Sequence, residues 1–322
     1  MNALIKIITV SLLLSVVSMG LMACGGNEPS PDKPTPTVSE EEPNPQDGEF
    51  TSYPARIEIE MSEGHLHPNV FHGNPSIEDF PLKKVQRMTL KREGNGYVHA
   101  GGEKVIRLVS RTLWSIIISL YDEAGNRINS KYLTSEEAKI NQMFCYITNV
   151  KDLKTGQAKT LKQSDIFPPF VYRDTNPEDK MIFPGKDEVV LTESNVGFKG
   201  YWGDSYEVAN EDYSGESFGG GIRAKYITFD INFFFMKFKS AEEKAPRGKV
   251  HSAFDTNAMK KASLIFKFKI PARIFANRPY SDKEQEQEIL DYMEEFGKPR
   301  DEMERLIDEY NNMNSESAVY FI

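Results

Sequence analysis

Two stretches of strict alternation constrain this chain more than any other feature. In one, Ile57, Ile59 and Met61 fall on one side and Arg56, Glu58 and Glu60 on the other. In the second, Leu264, Phe266, Phe268 and Ile270 alternate with Ser263, Ile265, Lys267 and Lys269. A period of two sends each set to one face of an extended backbone, so both read as strands rather than helices. Further strands are expected at about 85–92, 104–110, 112–121, 140–149, 195–202 and 224–239. Glu93-Gly94-Asn95-Gly96 and Asp122-Glu123-Ala124-Gly125-Asn126 punctuate them as turns, and Thr134-Ser135-Glu136-Glu137 resembles a capping box. Trp114–Tyr121 is almost continuously apolar and fits a central strand. Phe233-Phe234-Phe235 is too apolar for an open edge and requires cover on both faces.

Beyond residue 279 the pattern turns helical. Ser281 caps a helix to about Phe296, with Ile289, Met293 and Phe296 on one stripe; Gly297 and Pro299 end it. A second helix near 300–311 presents Met303, Leu306, Ile307 and Tyr310. The expected architecture is therefore mainly β, with two antiparallel sandwich-like units and a C-terminal helical segment. The units are placed at 54–155 and 189–278, joined by a Lys-, Asp- and Pro-rich connection at 156–188, with the helices in 279–322.

The N-terminus reads as an address. Lys6 precedes an apolar run from Ile7 to Met22, which as a helix would rise roughly 24 Å, short of a ~30 Å hydrocarbon core. Leu21-Met22-Ala23-Cys24 has the form of a lipobox, so residues 1–23 are read as a lipoprotein signal peptide and Cys24 as the lipidated cysteine. Several acyl chains on one cysteine anchor stably where a single chain does not. Gly25 after the cysteine favours the outer membrane. Residues 24–53 carry prolines at 29, 31, 34, 36, 43 and 45 and few apolar residues, as expected of a disordered tether.

The chain has a net charge of −9; removing residues 1–23 takes away only Lys6, leaving 38 Lys and Arg against 48 Asp and Glu, a net −10. An acidic chain with scattered basic residues excludes a nucleic-acid partner. With Cys24 lipidated, Cys145 has no intramolecular partner, and its setting in Phe144-Cys145-Tyr146 reads as a buried thiol.

Three segments are candidates for chemistry. Gly215-Glu216-Ser217-Phe218-Gly219 fits the G-x-S-x-G pattern, but polar residues precede it and glycines follow, where a nucleophile elbow needs a strand and a helix. An enzyme is therefore not expected. The loop 200–221 interleaves Tyr201, Trp202, Tyr206, Tyr213 and Phe218 with Asp204, Glu207, Glu211, Asp212 and Glu216. That composition suits sugar stacking or, with Asn210, Ca²⁺; an ordinary hairpin excursion is the competing reading. Tyr201, Trp202, Tyr206 and Asp204 would be its ligand contacts. The third segment holds three of the chain's five histidines: His65, His67 and His72. On a strand His65 and His67 share a side, and Gly64, Pro68 and Gly73 allow the chain to curl and return His72. Three neutral imidazoles suit zinc or copper, with Met143 or Cys145 as an added soft ligand; a polar loop with backbone-bonded histidines is the competing reading.

Gly64-His65-Leu66-His67 with Phe71-His72, the 121–126 turn, and Gly197-Phe198-Lys199-Gly200-Tyr201 together resemble a group of Bacteroidetes-type surface lipoproteins of unassigned function. The resemblance covers most of 55–275 and implies a β-rich surface ectodomain. It departs at Pro68, where that group usually has glycine, and at Met143, which replaces a histidine. The expectation is an outer-membrane lipoprotein that binds a ligand at the cell envelope, a transition metal or metal cofactor held by His65, His67 and His72 being the leading reading. Its partners would be the membrane through its lipid and an outer-membrane receptor or surface ligand. The alternatives are a glycan- or protein-binding surface module, or a structural, adhesive lipoprotein.

Overall fold

In a computed structural model describing residues 46–47, 53–67, 70–74, 79–176, 189–191, 194–203 and 221–311, both alternating stretches are strands. In chain order the strands are β1 (Gln46–Asp47), β2 (Arg56–His67), β3 (Val70–Gly73), β4 (Val85–Glu93), β5 (Gly96–Gly102), β6 (Ile106–Ser110) and β7 (Leu113–Tyr121). They continue with β8 (Asn141–Asp152), β9 (Phe170–Tyr172), β10 (Thr175–Asn176), β11 (Val189–Val190), β12 (Lys199–Trp202), β13 (Ile227–Lys237) and β14 (Ser263–Asn277). Helices α1 (Gln163–Ile166), α2 (Ala241–Lys244) and α3 (Thr256–Met259) are single turns, whereas α4 (Asp282–Phe296) and α5 (Arg300–Asn311) are full helices. No helix among the described residues is long and apolar enough to cross a membrane. Cys24 and most of the expected tether lie outside the described residues.

The fold is mainly β, with two large sheets, a two-stranded antiparallel ribbon of β10 and β11, and a C-terminal helical segment among the described residues. One sheet is antiparallel throughout, in the order β5-β4-β2-β7-β12-β9, with β3 folding back on the end of β2. The other runs β1-β14-β13-β8, and β6 adds to it parallel to β14. The sheets do not follow the boundary expected near residue 155. β6 and β8 lie before it yet pair with β14 and β13, while β9 and β12 lie after it and extend the sheet of β2. Alternation reveals which face of a strand is apolar, but carries no information about which distant strand pairs with it.

Between the sheets lies one core. Ile57, Ile59 and Met61 from β2 and Trp114, Ile116 and Ile118 from β7 meet Phe233 and Phe235 from β13 and Phe266 and Phe268 from β14. Each such side chain contributes about 1.5–3 kcal/mol by leaving water. β13 is covered twice, as its three consecutive phenylalanines require: Phe234 turns to a second cluster with Phe144, Phe238, Met259 and Leu264. Cys145 sits in the main core, and burial pushes its thiol well up from the ordinary cysteine range.

Two buried polar devices fix the periphery. Asp174 accepts four backbone N–H bonds, from Val196, Gly197, Phe198 and Lys199, at 2.6–3.2 Å, and so shapes the chain entering β12. Lys244, at the end of α2, is fully buried and donates its ammonium to the Ala138 carbonyl. Burial pulls Lys244 down to about 7, against the attraction of Asp174.

The C-terminal helices close one region of the sandwich. Ser281 accepts the Glu284 N–H as the cap of α4, and Gly297 ends the helix at φ 65°, a conformation that favours glycine. Ile289, Tyr292, Met303, Leu306 and Ile307 bury against Phe80, Leu82, Val109 and Phe275. Polar ties reinforce the seat: Arg107 and Arg273 both reach Glu295, Arg111 reaches Glu284, and Tyr226 donates to Asp291 at 2.7 Å.

Candidate functional site

The inward alternation of β2 runs Ile57, Ile59, Met61 and then Glu63, so a carboxylate occupies the next core-facing position. Glu63 is 1 % exposed. A buried charge needs partners, and three elements supply them. Lys84, just before β4, donates to Glu63 Oε2 at 2.8 Å; Tyr310 of α5 donates to Oε1 at 2.7 Å; and Asn74, after β3, donates to Oε1 at 3.2 Å. The backbone of Glu63 clasps the same residues, taking the Asn74 N–H on its carbonyl and giving its own N–H to the Lys84 carbonyl. Burial opposes ionisation of Glu63, but Lys84, Arg278 and the bonds from Lys84 and Tyr310 outweigh it and lower its pKa. Lys84 is only 2 % exposed, and burial pulls its ammonium below the usual lysine value while Glu63 holds it up. Its Nζ also lies 3.7 Å from the Tyr310 ring centroid, a cation–π contact.

The histidines feed into this cluster. The antiparallel pairing of β2 with β3 sets His65 opposite His72 and Gly64 opposite Gly73. His72 Nδ1 is 3.3 Å from His65 Nε2, and His65 Nδ1 is 2.8 Å from Asn74 Oδ1. The carboxylate orients the Asn74 amide group, so Oδ1 accepts and His65 Nδ1 carries the proton. His65 Nε2 then accepts from His72, and Asn74 Nδ2 donates onward to Glu63 and to the Tyr310 oxygen at 3.2 Å. Every donor in this chain leads toward Glu63. Both ring nitrogens of His65 are engaged in it, so coordination by that ring requires breaking one of these bonds.

The expected metal set therefore takes a different form. His65 and His72 come together through a nitrogen–nitrogen contact, while the His67 side chain lies outside the described residues. Met143 is buried on β8, in the other sheet, within the main core. Among the described residues no three His, Cys, Asp or Glu side chains gather as a metal ion requires.

Two of the aromatic residues expected to stack on sugars, Tyr201 and Trp202, are core residues. Tyr201 is 2 % exposed and stacks on Phe71 with ring centroids 5.8 Å apart; Trp202 is fully buried between Phe167 and Phe170. β12 is paired along both edges and all four of its residues are buried, so both of its faces are covered, which composition alone conceals. Asp204, Tyr206 and the 215–219 segment lie outside the described residues.

Beside the Glu63 cluster the helices leave a chamber of about 270 Å³, lined by Glu63, Lys84, Val109, Thr112, Arg278, Pro279, Glu288, Tyr292 and Tyr310. Arg278, Pro279 and Tyr310 are partly exposed and form its mouth; the remaining residues are buried. Burial opposes the Arg278 charge, but Glu63, Tyr310 and Glu288 outweigh it and raise its pKa. Burial raises Glu288 to about 7 despite Arg278 and Lys84. Burial, and then Glu63, push the Tyr310 phenol far above its ordinary value.

Sequence reasoning passed over Glu63, Lys84, Arg278 and Glu288. The available signal was Glu63 itself, a charge on the apolar side of an alternating strand. No family model matches the chain, and no match was found among curated proteins or solved structures.

Proposed function

We propose that this chain is a lipid-anchored outer-membrane protein that binds a small polar ligand in the chamber between the sandwich and α4–α5. The lipobox at Leu21–Cys24 supports the anchor. The observation that carries the binding role is the chamber, where side chains of both charge signs are held under cover beside apolar walls. Ligand sites are concave and bring a few polar groups together against apolar surface, as Glu63, Lys84 and Glu288 stand here beside Val109, Pro279 and Tyr292. Maintaining three ionisable side chains, Glu63, Lys84 and Glu288, in one buried place costs stability, and replacing such groups with apolar ones is often neutral or stabilising. A purely structural plug between helices and sheet has no need of them. The histidines serve this site by orienting Asn74 against Glu63 and Tyr310.

Two measurements test the proposal. Labelled palmitate should enter the protein made in a bacterial host and be absent from Cys24→Ser; equal labelling of the variant would remove the anchor. A ligand-observed NMR screen of small polar compounds against the purified full chain should give hits that Pro279→Trp, at the chamber mouth, weakens. Hits indifferent to that substitution, or none, would sink the binding role.

A further inference from the structure

We infer that Glu63, Lys84 and Asn74 form a site of self-modification, at which the folded protein joins the Lys84 and Asn74 side chains through an isopeptide bond, with Glu63 as the acid–base group. The backbone sets the three together. Glu63 gives its N–H to the Lys84 carbonyl at 2.8 Å and takes the Asn74 N–H on its own carbonyl at 2.8 Å, so both residues lie beside one position of β2. Their side chains meet on the same residue. Lys84 Nζ stands 2.8 Å from Glu63 Oε2, and Asn74 Nδ2 stands 3.2 Å from Oε1. An amine nucleophile, an amide electrophile and a carboxylate in contact with both are the parts that amide exchange requires.

The neighbours suit this chemistry. His65 donates Nδ1–H to Asn74 Oδ1 at 2.8 Å, which puts a donor on the oxygen that gathers negative charge when the amide carbon is attacked. The leaving nitrogen, Nδ2, faces Glu63. Lys84 is 2 % exposed and rests on the Tyr310 ring. Its proton has a carboxylate to move to along the 2.8 Å contact, and burial lowers the cost of exchanging an ion pair for a neutral amine and acid. Pro75 follows Asn74 in the chain. The proline nitrogen carries no hydrogen, so the backbone attack by which asparagine commonly loses its amide is blocked, and the side chain is kept for Lys84.

The step needs no co-reactant. The Lys84 ammonium passes a proton to Glu63, and the freed lone pair forms a bond to Asn74 Cγ while the carbonyl π pair moves onto Oδ1 beside His65. Glu63 then gives its proton to Nδ2 and takes a second one from Nζ. As the carbonyl re-forms, the Cγ–Nδ2 bond breaks and its electron pair leaves with the nitrogen. The departing ammonia takes the last proton from Glu63, so one ammonium ion is released and Glu63 ends as the carboxylate it began as. The product ties the end of β3 to the entry of β4, and such a link restricts the unfolded chain as a disulfide does. It forms whether or not the chamber takes a ligand.

Peptide mapping of the purified full chain tests this. Trypsin should release a branched species in which the 57–83 peptide is joined to the 84–87 peptide, about 17 Da lighter than the two together through loss of one ammonia, with fragment ions placing the link between Asn74 and Lys84. Asn74→Ala and Lys84→Arg should give unbranched peptides only. Glu63→Gln should form the link at least about a hundredfold more slowly, as expected for losing general acid–base catalysis. Thermal unfolding shows which variants fold, and the wild-type digest decides the matter without them. Unbranched peptides from wild type, still unbranched after long incubation of the folded protein, would overturn the bond. A mass loss that persists in Lys84→Arg, or a link formed in Glu63→Gln at the wild-type rate, would overturn the assignment of these residues.

Discussion

Tyr310 donates its phenol to Glu63 across 2.7 Å, joining residues 247 positions apart. One ring thereby does two jobs, since the Lys84 ammonium that balances Glu63 rests on its face. Tyr310→Phe keeps the ring and removes the hydroxyl. It leaves Glu63 a donor short, so urea unfolding should show a loss of about 1–3 kcal/mol. Hydrogen exchange in α5 should quicken. An unchanged midpoint with unchanged exchange would mean that the hydroxyl contributes nothing to docking the helix.

Gly64 is the second point of leverage. A Cβ there would lie 2.2 Å from the His72 carbonyl oxygen and 2.4 Å from the Phe71 ring. The ring lies across the glycine because nothing stands in its way. Gly64→Ala should force β3 off β2, cost about 1–3 kcal/mol, and shift the histidine ring resonances of His65 and His72 in NMR spectra. Retained stability with unmoved resonances would contradict the close approach.

Glu288 gives the protein a pH dependence of stated sign. Its folded value of about 7 stands above the ~4.3 of an unfolded glutamate, so its contribution is complete below ~4.3 and disappears as pH rises through about 7. The groups facing it are Arg278, Lys84, Glu63 and Asp291, with Tyr292 and Tyr310 beside it. Glu288→Gln removes the titration, so the variant should gain on the wild type by roughly 1–3 kcal/mol between pH 5 and pH 8. Parallel stability curves across that window would refute the assignment.

Lys244 works in the opposite sense. Its folded value of about 7 lies below the ~10.4 of an unfolded lysine, so stability is complete above ~10.4 and is lost as pH falls toward 7. Lys244→Met should stabilise most below pH 7, by roughly 1–3 kcal/mol, with the gain shrinking as pH rises toward 10. Guanidinium unfolding at several pH values would show it; a gain independent of pH would mean the ammonium is not the cause.

The sequence made element type legible wherever local pattern decides it. The alternation of β2 and β14, the doubly covered phenylalanines of β13 and the Ser281 cap of α4 all follow from neighbours within a few residues. β5 escaped because Gly96–Gly102 is glycine-rich and largely exposed, so no apolar face marks it. The partition into sheets escaped for a different reason. β6 pairs with β14 and β12 with β7, and such long-range choices are made by packing rather than by pattern. The site illustrates the same divide: the histidine hairpin lies within ten residues of chain, whereas Glu63, Lys84, Arg278, Glu288 and Tyr310 come from five separate elements or connections.

The parallel pairing of β6 with β14 bears on the order of events during biogenesis. β6 is made early, and β14 only after most of the chain has emerged. Until then Ile106 and Leu108, both fully buried in the finished protein, have no partner strand to cover them. Strand pairing between distant segments is slow, and its unfinished forms are prone to aggregate. A chain truncated before Ser263 would therefore be left with an incomplete sheet and β6 unpaired, and assembly has to wait for β14 to arrive.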